Sequence, residues 1–350
     1  MVKSRTYIAI PPGATIKEQL IDRHLSQKEF AIRMNLSQKH VSKLINGDVQ
    51  LTSDVANRLE LVLGVPATFW NNLESIYREK LTKALAENEM ESDIEIIKKL
   101  PYKEMEKNEW IPATKNMKER VVNLRKFFEV VNLSLIMDAS LCNIACRRLN
   151  ETEKSDYALL AWAQKAKLEA REMETSSVDI NILRKRISEI REMTIENPDE
   201  FIEKLKSILS KCGIALVFLP HIGGSYLHGA TFYDGKKIVI GITLRGKVAD
   251  KFWFSLFHEI GHIVLGHIEN GNGTSEQDEK DADAFAQDIL IHPEDYNSFI
   301  NNNSFSEESI IEFSHNIGIA PGILVGRLQK DAYIPYNAYN DLKINYSMDA

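Results

Sequence analysis

Two histidines and a glutamate stand close together in this sequence, in an arrangement that can hold and use a metal ion. His258 and His262 are four residues apart, and Glu259 directly follows the first histidine. On an α-helix, residues i and i+4 project from the same face, so both imidazoles can bind one Zn²⁺. Glu259 would lie beside the ion, where a carboxylate can take a proton from an activated water and pass it to a leaving amine. The pattern therefore predicts zinc-dependent peptide hydrolysis, with Glu259 as the general base.

The residues around this motif predict that it lies on a buried helix. Its neighbours are large and apolar: Phe252, Trp253, Phe254, Leu256, Phe257, Ile260, Ile263, Val264 and Leu265. A polar group buried in such a helix needs a partner, and a metal ion supplies one. The alternative is that both histidines are core residues satisfied by hydrogen bonds alone, because a five-residue pattern also occurs by chance.

A catalytic zinc ion needs a third protein ligand and keeps one position open for water. Downstream of the motif, Glu279 and Asp283 are four residues apart and share one face of the next predicted helix. If that helix folds back, Glu279 can bind the ion. Asp283 can then hydrogen-bond a ligand histidine and fix its tautomer.

Two apolar runs rich in β-branched residues, 214–219 and 238–244, predict strands upstream of the motif, with turns at the glycines between them. The second run has two interpretations. As an edge strand it would bind an extended peptide by backbone pairing, and as an inner strand it would be covered. Helical periodicity dominates residues 117–210, where Asp179 is a predicted helix cap.

A different pattern occupies residues 26–45, where two short helices are predicted on either side of Asn35 and Leu36. Apolar side chains would lock the pair together: Phe30, Ala31, Met34, Val41, Leu44 and Ile45. The second helix would enter the major groove of DNA and offer Ser37, Gln38, Lys39, His40, Ser42 and Lys43. Gln27 begins the first helix, where it can contact a phosphate. The alternative is an ordinary helical hairpin with a solvated polar face.

Length and composition limit the class of protein. The 350 residues allow two or three domains, and the net charge of −7 excludes a chain that coats nucleic acid with its whole surface. Residues 1–58, however, carry nine basic and five acidic side chains, which favours an anionic partner for this part alone. Three cysteines make no disulfide framework, and neither a membrane span nor a signal peptide is visible. We therefore expect a reduced, cytoplasmic protein that makes no contact with a membrane.

Residues 11–75 resemble the XRE-type, lambda-repressor-like helix-turn-helix domain of HigA-type antitoxins. The resemblance rests on LSQKEFA, on LTSDVANRLE with its predicted cap Thr52 and closing Gly64, and on GVPATFWNNL. It implies a five-helix domain that binds a palindromic, double-stranded DNA operator as a homodimer. It also allows for a toxin as a protein partner.

The stretches KFWFSLFHEIGHIVLGH and EKDADAFAQDILIHP resemble the ImmA/IrrE family of zinc metallopeptidases, and the likeness extends over about residues 120–345. It implies that His258, His262 and Glu279 bind Zn²⁺ and that Glu259 is the general base. Family members often carry an acidic residue directly before the alanine, and that position here is Asp281, the alternative third ligand. Glu279 is preferred because it alone lies four residues from Asp283.

These observations predict a mainly α fold with a small β-sheet. We expect a helix-turn-helix domain at 1–85, a linker with short helices at 86–116, a helical region at 117–210 and a zincin-like metallopeptidase domain at 211–350. The first functional hypothesis is a DNA-binding transcriptional regulator whose zinc endopeptidase cleaves a repressor, or the chain itself, in a stress, toxin–antitoxin or mobile-element response. The second is an antitoxin-like repressor whose metallopeptidase-like domain is only a sensor or a partner-binding scaffold. The intact Glu259 favours the first hypothesis, because a scaffold needs no general base.

Overall fold

The computed structural model describes residues 2–137, 153–223, 228–243, 248–269 and 274–346, apart from the side chains of 153–155. The chain divides into two compact units, Met1–Glu95 and Ile96–Ala350. Helices dominate, and the described strands form one two-stranded and one three-stranded sheet. The predicted mainly α fold with a small amount of β-structure is therefore confirmed. No helix in the described part of the chain is long and apolar enough to cross a membrane.

The first unit begins with two short antiparallel strands and continues with helices. The strands are β1 (Val2–Lys3) and β2 (Ile8–Ala9). The helices are α1 (Gly13–Asp22), α2 (Gln27–Met34), α3 (Gln38–Asn46), α4 (Ser53–Leu63) and α5 (Ala67–Ile97), the last of which continues two residues past the boundary between the units. The predicted five-helix arrangement is thus found.

Side-chain caps explain where the central helices of this unit begin and end. Ser26, Ser37 and Thr52 directly precede α2, α3 and α4, and each side-chain oxygen accepts a hydrogen bond from the backbone N–H three residues on. Gly47 and Gly64 close α3 and α4 in the left-handed conformation, which costs glycine little. The six apolar residues predicted to join α2 to α3 all lie in one buried core, so that prediction is confirmed.

The predicted linker is wrong in its first part. Residues 86–97 continue α5, and Tyr102–Lys107 form α6. Asp93 and Ile97 lie one helical turn apart and are both buried. The stretch is therefore a helix with one buried face, although many of its side chains are charged. Glu87 also ties α5 to the N-terminal strands, because its carboxylate accepts a 2.5 Å hydrogen bond from the Ser4 hydroxyl.

The second unit places a small sheet among helices. After α6 come α7 (Met117–Phe128), α8 (Glu153–Arg171), α9 (Ile180–Glu192) and α10 (Pro198–Lys211). The strands β3 (Ile214–Leu219), β4 (Gly229–Asp234) and β5 (Lys237–Thr243) follow in the spatial order β3-β5-β4, with β5 parallel to β3 and antiparallel to β4. The chain then forms α11 (Ala249–Val264), α12 (Glu276–Leu290), α13 (Pro293–Asn301), α14 (Glu307–Ile317) and α15 (Pro321–Lys330).

The central strand β5 is covered on both faces and paired on both edges. Ile238, Ile240 and Ile242 belong to the same buried core as α11. Gly241 points to the opposite face, where a Cβ would lie 2.5 Å from the Trp162 ring of α8. Of the two interpretations of the run 238–244, the inner strand is correct. The edge-strand interpretation is wrong, because β3 and β4 already occupy both edges.

The C-terminal segment fastens the first turns of α11. Trp253 Nε1 donates a 2.8 Å hydrogen bond to the Tyr346 hydroxyl, and both side chains are buried. Lys343 Nζ lies 2.7 Å from Asp250 Oδ2 in a second, partly buried contact. These contacts fix the start of the helix that carries the histidines, and its apolar face then packs into the core of the unit.

Candidate metal centre and nucleic-acid interface

Helices α11 and α12 bring three metal-binding side chains together. His258 and His262 lie one turn apart on α11, and Glu279 faces them from α12. His258 Nε2 is 3.0 Å from His262 Nε2 and 3.4 Å from Glu279 Oε2, while His262 Nε2 is 3.7 Å from Glu279 Oε1. Within the described residues, the ligand atoms of this group all lie within 4.8 Å of one another.

These separations suit a tetrahedral zinc site. Zinc bonds to imidazole nitrogen and to carboxylate oxygen are about 2.0–2.2 Å long, so two ligand atoms on a tetrahedral ion lie roughly 3.3 Å apart. The observed separations of 3.0, 3.4 and 3.7 Å lie around this value. Two imidazoles and one carboxylate also leave the fourth position free, as a hydrolytic site requires.

A close approach of the two helices allows this convergence. Gly261 directly precedes His262 and faces α12, where an added Cβ would lie 3.3 Å from Ala282 Cα and 3.1 Å from a Phe285 ring carbon. Ala282 is small and fully buried. A larger side chain at either position would separate the helices and carry Glu279 away from the histidines.

The outward-facing nitrogen of each histidine has its own partner. His258 Nδ1 is 2.9 Å from Asp283 Oδ1, the contact that the spacing predicts. Asp283 is also 3.4 Å from Lys330 Nζ. His262 Nδ1 is 3.0 Å from His267 Nδ1. Both imidazoles are therefore held in orientation from behind, which is typical of histidines that ligate metals.

The two acidic candidates for the third ligand have different surroundings. Glu279 is buried, and its Oε1 accepts a 2.6 Å hydrogen bond from the Thr274 hydroxyl, which orients the carboxylate. Asp281 is exposed, and its carboxylate accepts a 2.8 Å hydrogen bond from Gln277. The structure therefore brings Glu279 to the histidines and does not bring Asp281 there.

The carboxylate of Glu259 is held by the neighbouring edge strand β4. Thr231 Oγ1 donates a 2.6 Å hydrogen bond to Glu259 Oε2, and both residues are buried. Gly229 of the same strand leaves room for the other oxygen, since a Cβ there would lie 2.6 Å from Glu259 Oε1. Burial raises the pKa of Glu259 to about 7, against the opposing effects of the His258 charge and the Thr231 hydrogen bond. A carboxylate with a pKa near neutrality can both accept and return a proton.

The two histidines titrate in opposite directions. Burial disfavours the charged form of His258, but hydrogen bonds to Asp283 and Glu279 outweigh it and raise the pKa of His258 to about 10. Burial and the neighbouring His258 charge lower the pKa of His262 to about 4. At neutral pH the ligand set therefore holds one exchangeable proton, on His258, and His262 is already in the neutral form that a metal needs.

Two residues of this site lie outside the predicted set. His267 is five residues beyond His262 and would lie on a different face from the ligands if α11 continued. The helix instead ends at Val264, and Gly266, with φ +80°, turns the chain so that His267 folds back under His262. Thr231 carried no local signal, since its role depends on a strand that lies far from Glu259 in the sequence.

In the first unit, α2 and α3 form a helix-turn-helix. Asn35 ends α2 in the left-handed conformation, with φ 49°, and the Leu36 N–H donates a 2.9 Å hydrogen bond back to the Ala31 carbonyl. Both are features of a tight turn at the end of a helix. Arg58 of α4 stabilises the same turn, because its guanidinium donates to the carbonyls of Met34 and Asn35 at 3.1 and 3.3 Å.

Most residues predicted to meet DNA are accessible. The exposed ones are Gln27, Ser37, Gln38, Lys39 and Lys43, and the half-buried ones are His40 and Ser42. The Ser37 oxygen accepts a 3.1 Å hydrogen bond from the His40 N–H to cap α3, and its hydroxyl proton stays available to DNA. Lys39 and Lys43 form no ion pair with the described part of the chain, which leaves both charges available for phosphates or base edges.

Comparisons with known proteins agree with this part of the structure. A helix-turn-helix family model matches residues 16–70. Over 89 residues the chain is 32% identical to the uncharacterized HTH-type transcriptional regulator YddM of Escherichia coli (strain K12). The aligned region covers 25% of this chain and 88% of that protein.

Proposed function

Because the chain belongs to the helix-turn-helix family of transcriptional regulators, we propose that its second unit adds a zinc-dependent endopeptidase to a cytoplasmic DNA-binding regulator. The substrate class is a regulatory protein, such as a repressor or the chain itself. The observation that carries the proposal is the convergence of the His258, His262 and Glu279 ligand atoms within 4.8 Å, with the buried carboxylate of Glu259 beside them. A core without a metal would gain nothing from this arrangement, because three polar side chains, two of them buried and His258 half-buried, would face one another.

The residues of the site divide the work of peptide hydrolysis. His258, His262 and Glu279 would hold the zinc ion, which supplies Lewis acidity toward a peptide carbonyl and a water molecule. Glu259 takes the proton of the attacking water and returns it to the leaving amine. Thr231 and Gly229 keep the Glu259 carboxylate in a fixed orientation while it does so. Asp283 and Thr274 orient His258 and Glu279.

Metal content of the purified full-length chain tests the site directly. We expect about one zinc per chain in the wild type, and a sharp loss in His262→Ala and Glu279→Ala. Asp281→Ala is the matched control, because it removes an exposed carboxylate from the same helix and should leave the zinc in place. A wild type without zinc would overturn the proposal. Zinc that is kept in Glu279→Ala but lost in His262→Ala and Asp281→Ala would reassign the third ligand.

Cleavage is tested with Glu259→Gln. This variant keeps the size of the side chain and the Thr231 contact but cannot accept a proton, so it should bind zinc normally and fail to cleave. The assay follows the chain itself, and candidate repressor proteins incubated with it, over time by mass spectrometry. If Glu259→Gln cleaves as fast as the wild type, Glu259 is not the base. Bound zinc without cleavage would contradict the peptidase and favour the alternative, a sensor or partner-binding scaffold.

For the first unit we propose a homodimer on a palindromic operator. Two recognition helices in successive major grooves require half-sites about one helical turn, or 34 Å, apart. Sedimentation of the full chain with and without operator DNA tests the proposal. A single chain per operator would contradict it.

A further inference from the structure

We infer that His267 is a positioning residue that makes His262 a zinc ligand through Nε2. The inference rests on the zinc site proposed above. It concerns a residue outside the His-Glu-x-x-His motif and outside the predicted ligand set, and it follows from the contact between the two Nδ1 atoms.

The contact allows one consistent placement of protons. His262 Nε2 faces His258 and Glu279, and its Nδ1 lies 3.0 Å from His267 Nδ1. Two ring nitrogens at this distance share one proton, so one donates and the other accepts. A histidine that ligates through Nε2 carries its proton on Nδ1. His262 must therefore donate, and His267 must accept at Nδ1 and carry its own proton on Nε2.

The surroundings of His267 support this arrangement. His267 Nε2 is 3.7 Å from Asp278 Oδ1, so the protonated nitrogen points toward a carboxylate. Both histidine rings are buried and meet edge to face, with centroids 5.2 Å apart. Gly266 turns the chain at the end of α11 and places the ring there. His267, with Asp278 beyond it, thus supports His262 from behind, as Asp283 supports His258.

The two supports differ in kind. His258 is backed by a carboxylate, which favours a proton and a metal ion alike. His262 is backed by another imidazole, which can accept a hydrogen bond at Nδ1 without adding a negative charge. His262 is 2% exposed, so its ring has little contact with solvent, and removing His267 would take away the acceptor of Nδ1.

The test measures zinc affinity of the full chain by competition with a chelator. His267→Phe keeps a ring of similar size but has no acceptor, and should weaken zinc binding about 10–100-fold. His267→Asn places an amide oxygen near the position of Nδ1, and should restore most of the affinity. Ile268→Ala is the control for packing, since it truncates a buried neighbour in the same turn and should leave zinc affinity unchanged.

A second readout uses Co²⁺ in place of zinc. The visible spectrum of bound Co²⁺ reports the geometry of its ligands, so it should change in His267→Phe and remain like the wild type in His267→Asn and Ile268→Ala. If wild type and His267→Phe bind zinc equally, or if His267→Asn is as weak as His267→Phe, His267 does not position the ligand and this inference falls alone. A wild type that binds no zinc overturns it together with the proposed zinc site.

Discussion

Zinc affinity should rise steeply with pH, because a proton and the ion compete for His258 Nε2. Hydrogen bonds to Asp283 and Glu279 outweigh burial and raise the pKa of His258 to about 10. A pH of 7 is about three units below this pKa, so releasing the His258 proton costs about 4 kcal/mol at that pH. His262, with a pKa of about 4, is already neutral at that pH, so zinc displaces no proton from its Nε2. One proton should leave for each zinc bound, so affinity should rise about tenfold per pH unit between pH 7.5 and 9.

Isothermal titration of zinc in buffers of different ionisation enthalpy counts the released protons, and chelator competition at each pH gives the affinity. Asp283→Asn is the decisive variant, because loss of its carboxylate lowers the pKa of His258. Zinc affinity should then stop rising with pH at a lower pH than in the wild type. Lys330→Ala is the matched control, since it changes a neighbour of Asp283 but leaves the His258 contact intact. An affinity that does not change with pH between 7.5 and 9, or a release of two protons, would refute this account of the ligand set.

Three further changes test other contacts. Thr231→Val removes the hydroxyl that holds Glu259, and should slow cleavage about 10–100-fold at unchanged zinc content, as measured by kcat and metal analysis. Lys39→Ala with Lys43→Ala should weaken operator binding and reduce its logarithmic salt slope by about two, measured by titration at several salt concentrations. Arg58→Ala removes two hydrogen bonds to the turn between α2 and α3, and should lower the free energy of unfolding by about 1 kcal/mol in denaturant titration.

Each of these predictions has a control within the chain. Thr231→Ser keeps the hydroxyl and should restore cleavage, so failure of Ser to rescue would assign the effect to packing. Lys17→Ala removes an exposed charge from α1 and should change operator binding less than the double variant does. If Lys17→Ala weakens operator binding as much as the double variant does, α3 does not enter the major groove. Arg58→Lys keeps the charge without the forked donors, and stability equal to the wild type would show that the carbonyl contacts contribute little.

Local features of the fold were predictable because their causes are local. Thr52 and Asp179 cap helices as their sequence context predicts, and Gly64 closes α4. The pairing of His258 with His262 is likewise a property of one helix. The strand β4 was not separated from the surrounding glycine-rich turns, because its six residues alternate weakly and one of them is Gly229.

Features that depend on distant parts of the chain could not be read in this way. The end of α11 decides where His267 points, and the motif itself does not reveal that end. The distance between α11 and α12 at the metal centre depends on two small residues, Gly261 and Ala282, one from each helix. The composition of the charged stretch 86–97 predicts a linker, because it does not show that Asp93 and Ile97 share a buried helix face.

The proposed centre is thus a product of helix packing as much as of the motif. His258 and His262 would face one another on α11 in any helical protein with this spacing. They acquire a carboxylate only because α12 approaches closely at Gly261, and they acquire orientation only because Asp283 and His267 stand behind them. Substitutions that leave every ligand in place can therefore abolish metal binding, since a displacement of Glu279 by about 1 Å exceeds the tolerance of a zinc bond. Ligand identity alone is insufficient to judge whether such a site binds zinc.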